Sequence, residues 1–401
     1  MNILCVFGRH AYGDPSRGEG YEYVNFLPAW RRLGHQVSFF ESFSRDPYTD
    51  FASLNRALLR RVEETAPDVV FCVLMQYEVW CETLRLIRGT GALLMNWSTD
   101  DSWKYKLFSR LIGSEFDLYV TTYPHLVERY RRDGIASVYL SQWAANAETL
   151  APPISAKDCR YPVSFVGASY GHRQAMVEAL RHAGVDVACF GYGWPAGSVE
   201  AKRIAEIVRN SQISLNFSEG SQRGGKGAAG RQIKARVFEV PGYGGCLLTE
   251  EAQALERYFT KGEEILTFEG SAELVDVVKQ LLADPDRRNA IAQQGFERVV
   301  KEHTYDRRFA DLLRELTGRS AERARRPIDW AAFEAATRRH SLGPVLCLVK
   351  AALVFCACLV WGRQRGPRAA RRIAFEISWR LCGARTYSSA GWPGRMFYKE
   401  S

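Results

Sequence analysis

Short apolar runs alternate with longer amphipathic stretches along the first 140 residues of the chain. Each apolar run predicts a strand, and each amphipathic stretch predicts a helix. The predicted strands are residues 2–7, 36–40, 68–74, 92–97, 118–121 and 138–140, and the predicted helices are 21–33, 51–65, 78–88 and 125–133. A glycine-rich loop follows the first strand. This order of strand, loop, helix and strand is the opening of a doubly wound α/β domain.

The alternation starts again after residues 151–159, which contain two prolines and predict a linker between domains. The strands predicted beyond it are 163–166, 187–190, 213–216 and 246–249, and the helices are 173–182, 201–210, 272–283 and 285–304. The chain is therefore predicted to form an amino-terminal Rossmann-like domain over 1–150 and a second one over 160–318. Residues 319–401 form a helical tail of different composition.

The tail combines an apolar segment with most of the excess positive charge. Residues 345–361 contain Lys350 as their only charged residue, whereas residues 319–401 hold 16 Lys and Arg against 5 Asp and Glu. Seventeen residues are at the lower limit for a membrane span, and a lysine in mid-segment is costly there. The flanking arginines favour an in-plane anchor, residues 338–372, on an anionic membrane surface. A true span and a helical hairpin packed on the second domain are the alternatives.

Composition and charge indicate which kinds of partner and which cellular compartment to expect. The net charge of +9 over 401 residues belongs to the tail and coincides with an apolar segment, so it does not indicate a nucleic-acid partner. Ten cysteines without paired metal spacing are typical of reduced thiols in a cytosolic protein. The start of the chain lacks the pattern of a secretory signal. We therefore expect a cytoplasmic protein at the inner face of the cytoplasmic membrane.

The stretch RQIKARVFEVPGYGGCLLTE, residues 231–250, carries the most chemical information. It predicts a basic helix start, and a helix amino terminus attracts anions through its unpaired N–H groups and its dipole. Arg231, Lys234 and Arg236 would add positive charge suited to a diphosphate. Glu239, about two turns further on, could accept hydrogen bonds from sugar hydroxyls. The alternative for Glu239 is an ordinary i,i+3 pair with Arg236.

This stretch resembles the signature of GT-B glycosyltransferases, specifically the spore-maturation (spore-coat) type. The resemblance extends over FVGASYGHR, NSQISLNFS, YFTKGEEILTF and EHTYDRRF, from about residue 164 to 313, and also includes NWSTDDSW and LSQWAAN in the first half. It implies two facing Rossmann-like domains with the ligand outside the carboxyl ends of the strands. It also implies a nucleotide-diphosphate sugar as donor, with no further cofactor and no bound metal.

The resemblance assigns roles to residues of the second domain. Glu239 matches the second of two glutamates that are separated by seven intervening residues, the one that binds the ribose. Arg231 stands where the first would be, so a retaining outcome does not carry over. Arg173, six residues after FVG, matches a basic residue that holds the diphosphate. Ala168 fills the nearer place where the family usually has a second basic residue.

Two further donor-side candidates rest on weaker patterns. Lys226 lies in the glycine-rich loop 221–230, where the backbone can approach a phosphate closely. A surface loop without a ligand is the alternative. Trp194 could stack on the donor base, and a place in the core is its alternative.

Acceptor-side candidates lie in the first domain. Asp100 and Asp101 follow a predicted strand and are flanked by tryptophans, which suggests a sugar site with a general base. Either could instead cap the helix predicted at 102–111, and Asp101 suits that role better. His10 and Glu19 lie at the first glycine loop. His10 has a pKa range suited to a base.

The function predicted from the sequence is transfer of a sugar from a nucleotide-diphosphate sugar to a glycan, a lipid-linked molecule or a protein. A nucleotide-sugar epimerase on the same architecture is one alternative. A non-catalytic scaffold recruited to the membrane is another, because the first glutamate and the basic residue after FVG are both missing.

Overall fold

The computed structural model describes residues 1–218, 231–319 and 323–401, and its contacts divide the chain into two units. The first unit comprises residues 1–141 together with 311–401, and the second comprises 142–310. The tail, predicted as a segment of its own, therefore forms part of the first unit. The linker predicted at 151–159 lies inside the second unit.

The first unit contains a six-stranded parallel sheet in the order β2-β1-β3-β4-β5-β6. Its strands are β1 Asn2–Phe7, β2 Gln36–Glu41, β3 Val69–Cys72, β4 Leu93–Trp97, β5 Leu118–Thr121 and β6 Val138–Leu140. Its helices before the tail are α1 Tyr21–Arg32, α2 Phe51–Thr65, α3 Cys81–Gly89, α4 Asp101–Lys104, α5 Arg110–Ile112 and α6 Val127–Arg132. The strands read as apolar runs because helices cover both faces of a parallel sheet.

The second unit contains a five-stranded parallel sheet in the order β11-β10-β9-β7-β8. Its strands are β7 Tyr161–Val166, β8 Val187–Phe190, β9 Ser211–Asn216, β10 Leu247–Glu250 and β11 Leu266–Phe268. Its helices are α7 Arg173–His182, α8 Ala201–Arg209, α9 Arg236–Gly242, α10 Ser271–Ala283 and α11 Pro285–Glu302, and α12 Tyr305–Arg319 leads back to the first unit. Two parallel sheets with helices confirm the predicted α/β fold class.

The helix predicted over 285–304 ends two residues earlier in the structure, and a helix that was not predicted follows it. The helix expected over 285–304 ends at Glu302, and α12 begins at Tyr305. Between them Ala145 donates a backbone hydrogen bond to His303 at 2.9 Å and accepts one from Tyr305 at 3.0 Å. These bonds interrupt the helical pattern, and their partner is about 160 residues away in sequence, so local periodicity could not reveal the break.

The tail forms a helical hairpin on the first unit. It consists of α13 Trp330–His340, α14 Pro344–Cys382 and α15 Trp392–Met396, with non-helical backbone at Gly362. Gly362 has a φ of 76°, and Gly366 packs directly against Cys358, so the chain reverses there. The hairpin alternative had placed this element on the second domain, whereas Phe333 and Phe375 belong to the core of the first unit.

Candidate functional site

Charged side chains of the second unit cluster at the carboxyl ends of neighbouring parallel strands. The loop after β7 ends with His172, α7 begins at Arg173, and β10 ends at Glu250. Arg231 and Lys234 precede α9. In an open α/β sheet this edge is where ligands bind, because loops and helix starts converge there. His172 and Arg231 lie beside one carboxylate, and Arg173 and Lys234 lie in the same segments, so the local positive charge suits an anionic ligand.

Glu250 is the buried centre of this cluster. Its side chain is 2% exposed, and it lies 3.1 Å from His172 Nε2 and 3.2 Å from Arg231 Nε. The Ser218 amide donates a further hydrogen bond to it at 2.8 Å. A buried carboxylate requires such partners. Glu250 therefore orients the Arg231 guanidinium and the His172 ring, which are themselves partly exposed.

Neither Glu250 nor His172 was predicted as a site residue. Glu250 is the last residue of the signature stretch, and His172 directly precedes Arg173. Both therefore lay within motifs that the sequence analysis singled out. The two residues are brought close together by the parallel pairing of β9 with β7 and with β10, which places the carboxyl ends of these strands at one edge of the sheet.

Arg173 begins α7, and its side chain packs against the loop after β7. It is 6% exposed, donates hydrogen bonds to the Ala168 carbonyl at 2.8 Å and the Tyr170 hydroxyl at 2.7 Å, and lies over the Tyr170 ring at 3.8 Å. Arg173 therefore does not face solvent. Lys234 approaches the same ring from the other segment, with Nζ 6.0 Å from its centre. Tyr170 thus brings two predicted phosphate-binding cations together.

The helix of the signature stretch begins later than predicted. Its first residue is Arg236, and the helix has seven residues, so Arg231 and Lys234 lie before it rather than in its first turn. The Gln232 amide donates to the Ser218 carbonyl at 3.0 Å, which holds this segment extended beside the end of β9. The predicted contribution of a helix dipole at Arg231 is therefore corrected. The positive charge there comes from side chains.

Glu239 and Arg236 form the i,i+3 pair that was the alternative interpretation of the sequence. Their charged atoms are 2.9 Å apart, and Glu239 is 6% exposed. Glu239 also contributes to raising the pKa of the Tyr243 hydroxyl, second to burial of that hydroxyl. The pairing does not test a ribose contact, which stays a prediction.

Two other donor-side predictions have different outcomes. Trp194 is 8% exposed, packs edge-on against Phe165 and donates its indole N–H to the Gly167 carbonyl at 2.9 Å. This is the core position of its alternative interpretation, and we assign it no contact with a nucleobase. Lys226 and its loop lie outside the described residues.

Asp101, in the first unit, is a buried structural carboxylate. It is 1% exposed and accepts hydrogen bonds of 2.5–2.7 Å from the hydroxyls of Ser98, Ser109, Thr121 and Tyr130. It occupies the first position of α4, whose cap residue is Asp100. The expectation that Asp101 is the better cap is thus corrected: its carboxylate is committed to these four hydroxyls.

The remaining acceptor-side candidates occupy the carboxyl-end edge of the first sheet and its first loop. Asp100 is half-buried just after β4, and its side chain makes no capping hydrogen bond. His10 is half-buried and pairs through its backbone with Glu19. Glu19 is exposed and lies 3.4 Å from Arg9. These positions leave the predicted acceptor roles of Asp100, His10 and Glu19 as predictions.

Two further charged groups in this region were not predicted. Lys104 is fully buried and donates to the Leu74 carbonyl at 3.1 Å, and burial lowers the pKa of its ammonium. Burial raises the pKa of the Glu22 carboxyl, Lys104 partly offsets that increase and Asp100 adds to it. A carboxyl group with a raised pKa near Asp100 is suited to proton transfer.

Comparison with known proteins identifies the second unit. Residues 173–314 match the family described as Glycosyl transferase-like. The matched segment begins at Arg173 and contains Lys234, Glu239 and Glu250. No curated protein sequence matches the chain.

Solved structures with the same fold cover most of the chain. Sucrose-phosphate synthase from Thermosynechococcus elongatus aligns with a TM-score of 0.55 and 12% identity, over 80% of this chain and 100% of that one. HepE from Anabaena, solved with UDP, aligns with a TM-score of 0.51 and 10% identity, over 79% of this chain and 100% of HepE. The lipopolysaccharide outer core galactosyltransferase WaaB aligns with a TM-score of 0.51 and 12% identity, over 80% of this chain and 100% of WaaB. At such identities the likeness establishes the fold.

The fold and the matched domain together define the class of this protein. It is a glycosyltransferase of the GT-B architecture. The spore-maturation type suggested by the sequence motifs stays a prediction.

Proposed function

We propose that this protein transfers a sugar from a nucleoside diphosphate sugar to an acceptor at the inner face of the cytoplasmic membrane. The observation that carries the proposal is the basic cluster of Arg173, Arg231 and Lys234, organised around Glu250 and Tyr170 at the carboxyl ends of the strands of the second unit. A diphosphate is the ligand whose charge suits this cluster.

The proposed reaction makes a specific demand on these cations. The bond between the anomeric carbon and the diphosphate oxygen breaks, and the departing oxygen keeps the electron pair. Positive side chains held in place by a folded site stabilise that developing charge. Arg173, Arg231 and Lys234 serve this purpose, and Glu239 holds the ribose.

The acceptor side of the reaction belongs to the first unit. An acceptor hydroxyl forms the new bond to the anomeric carbon and gives its proton to a base. Asp100 and His10 are the proposed bases, and Glu19 is a proposed acceptor contact. The acceptor is a glycan, a lipid-linked molecule or a protein, and residues 338–372 hold the enzyme at the anionic membrane surface.

The test compares two ligands and two variants of the full-length chain by thermal shift and calorimetry. UDP is the first probe because HepE was solved with UDP, and inorganic pyrophosphate isolates the phosphate contacts. Arg231→Gln should lower the affinity for both ligands by roughly tenfold or more, because it removes a charge-assisted contact. Glu239→Gln should lower the affinity for UDP and leave the affinity for pyrophosphate unchanged.

The matched control is Arg203→Gln, which removes an exposed arginine paired with Glu206 in the same unit. It should bind both ligands as the wild type does. If neither UDP nor any other nucleoside diphosphate or nucleotide sugar raises the midpoint of thermal unfolding, the scaffold alternative replaces the proposal. An equal response of the wild type and Arg231→Gln would remove the assigned site.

A further inference from the structure

The first arm of the hairpin, residues 344–361, presents a continuous uncharged surface. Every side chain in this arm that is exposed is apolar or a cysteine. The large ones are exposed by 42–72%: Val345, Leu348, Val349, Phe355, Leu359, Val360 and Trp361. Their spacing of three, four and seven residues places most of them along one side of a helix. An exposed apolar surface of this extent marks an interaction site.

Lys350, the one charge in this arm, lies on the other side of the helix. It is half-buried, with its ammonium 5.6 Å from the centre of the Phe397 ring. Leu346, Leu353 and Val354 accompany it against the small core that contains Ala370 and Phe397. Lys350, whose charge would be costly in the middle of a membrane segment, therefore adds no charge to the exposed side of the helix.

Both ends of the hairpin are attached to the first unit. Before the first arm, Phe333 stacks on Trp80 at 6.1 Å, and Arg339 lies 3.4 Å from Glu82. In the second arm, residues 363–382, Arg371 donates to Gln76 at 2.9 Å. If the first arm spanned a bilayer, the second would have to cross back to reach these contacts.

The second arm cannot make that return crossing. It begins with five arginines within ten residues: Arg363, Arg365, Arg368, Arg371 and Arg372. All of these except Arg371 are exposed. Arginines at the depth of the hydrocarbon are strongly unfavourable, whereas arginines beside an apolar helix face bind anionic lipid headgroups.

We infer that the exposed side of residues 344–361 lies in the plane of an anionic phospholipid bilayer, without crossing it. At 1.5 Å per residue this arm is about 27 Å long, and it lies along the interface with its apolar side chains among the acyl chains. Arg363, Arg365, Arg368 and Arg372 contact the headgroups. This inference specifies the membrane attachment in the proposed function, and it does not depend on the donor site.

Vesicle binding tests the partner. The full-length protein is floated with vesicles of phosphatidylcholine alone or mixed with phosphatidylglycerol. The wild type should bind the mixed vesicles more strongly than the vesicles of phosphatidylcholine alone. The double variant Leu348→Glu, Phe355→Glu should bind the mixed vesicles at least roughly tenfold more weakly than the wild type does. Tyr192→Glu is the matched control, since Tyr192 is 81% exposed in the second unit. It should bind as the wild type does.

Two native cysteines test the orientation. Cys347 and Cys356 are exposed in this arm, and each is labelled with a fluorophore after the other is changed to serine. Quenching by lipids brominated at known depths should place both labels at the same shallow depth. In a spanning helix the two labels would differ in depth by about 13 Å.

Three results would overturn the inference. They are a depth difference of that size, equal vesicle binding by the wild type and the double variant, or a wild-type dimer that the double variant turns into a monomer. UDP binding by the double variant distinguishes this failure from failure of the proposed function. The variant should bind UDP as the wild type does, because the donor cluster is in the second unit.

Discussion

Single carboxylates in this protein have roles that depend on their partners rather than on their sequence context. Glu250 and Asp101 are both nearly fully buried at the carboxyl end of a parallel sheet. Asp101 contacts neutral hydroxyls, whereas Glu250 contacts cationic side chains that are partly exposed. The first arrangement stabilises a fold, and the second prepares charges for a ligand.

Glu250→Gln should weaken binding of both UDP and pyrophosphate by roughly tenfold, because Arg231 and His172 lose the charge that orients them. Isothermal titration calorimetry measures the two affinities. Glu251→Gln is the control, since this neighbouring carboxylate pairs with Lys261 instead. Unchanged affinities in Glu250→Gln would show that Glu250 does not position the cluster.

His303 predicts a pH dependence of stability. Its Nε2 is 2.8 Å from the Tyr258 carbonyl and its Nδ1 is 2.8 Å from Arg308, an arrangement that suits a neutral ring. Burial, with Arg308 adding to it, lowers the pKa of His303 from 6.5 to about 4. The unfolded chain therefore binds a proton below pH 6.5 that the folded chain does not. The stabilisation is complete above that pH and is lost as the pH falls towards 4.

The expected loss is up to about 3 kcal/mol in the free energy of unfolding. Urea unfolding at a series of pH values measures it. His303→Gln should reduce the slope over this range, whereas the exposed His182→Gln should keep it. Identical slopes in the wild type and His303→Gln would contradict this account.

At the scale of elements, buried polar contacts join segments that are distant in sequence. Asp101 at the start of α4 holds Thr121 at the end of β5 and Tyr130 in α6. Arg288 in α11 is fully buried and donates to the carbonyls of Ser211, Gln212 and Ile154. Such contacts fix the relative positions of elements whose hydrophobic patterns alone leave them free to shift.

Asp101→Asn should lower the stability of the first unit by about 2–3 kcal/mol, because it removes the charge and leaves hydroxyl donors without an acceptor. Thermal unfolding followed by circular dichroism measures the change. Asp100→Asn, at the half-buried neighbouring position, should change it little. If Asp101→Asn unfolds as the wild type does while losing activity, Asp101 has a catalytic rather than a structural role.

At the scale of the whole molecule, the tail is part of a core and also carries the surface that we propose to bind the membrane. Phe333, Phe375, Tyr387 and Tyr398 are buried in the same apolar core as α2 and α3. The exposed side of residues 344–361 belongs to the same tail. Its two roles can be separated only by changing the exposed side and leaving the core residues in place.

A chain ending at residue 318 should therefore lose the stability of its first unit, because about four large side chains are removed from that core, each worth roughly 1.5–3 kcal/mol. Scanning calorimetry should show a strongly lowered first transition, or aggregation during expression. The double variant Leu348→Glu, Phe355→Glu should unfold at the wild-type temperature. A stable, folded truncated chain would contradict the packing described here.

Much of the fold was predictable from local pattern. The strands and helices of both sheets follow short apolar runs and amphipathic stretches, and Arg173–His182 was predicted with the bounds that the structure has. The misses have non-local causes. The unpredicted helix α12 begins where Tyr305 donates to Ala145, and the segment before the late start of α9 bonds to Ser218. The strand β11 was also missed, and its length does not explain this, because β6 has three residues too and was predicted.

The sequence by itself determined the fold class, the residues that carry positive charge in the second unit and the apolar segment of the tail. Periodicity and residue type act locally, so they can be read along the chain. Only the tertiary structure decided that Glu250 joins His172 to Arg231, that Asp101 and Trp194 are buried, and that Lys350 lies on the protein side of its helix. These facts depend on which strand ends and helix faces meet, and that is set by packing between residues far apart in sequence.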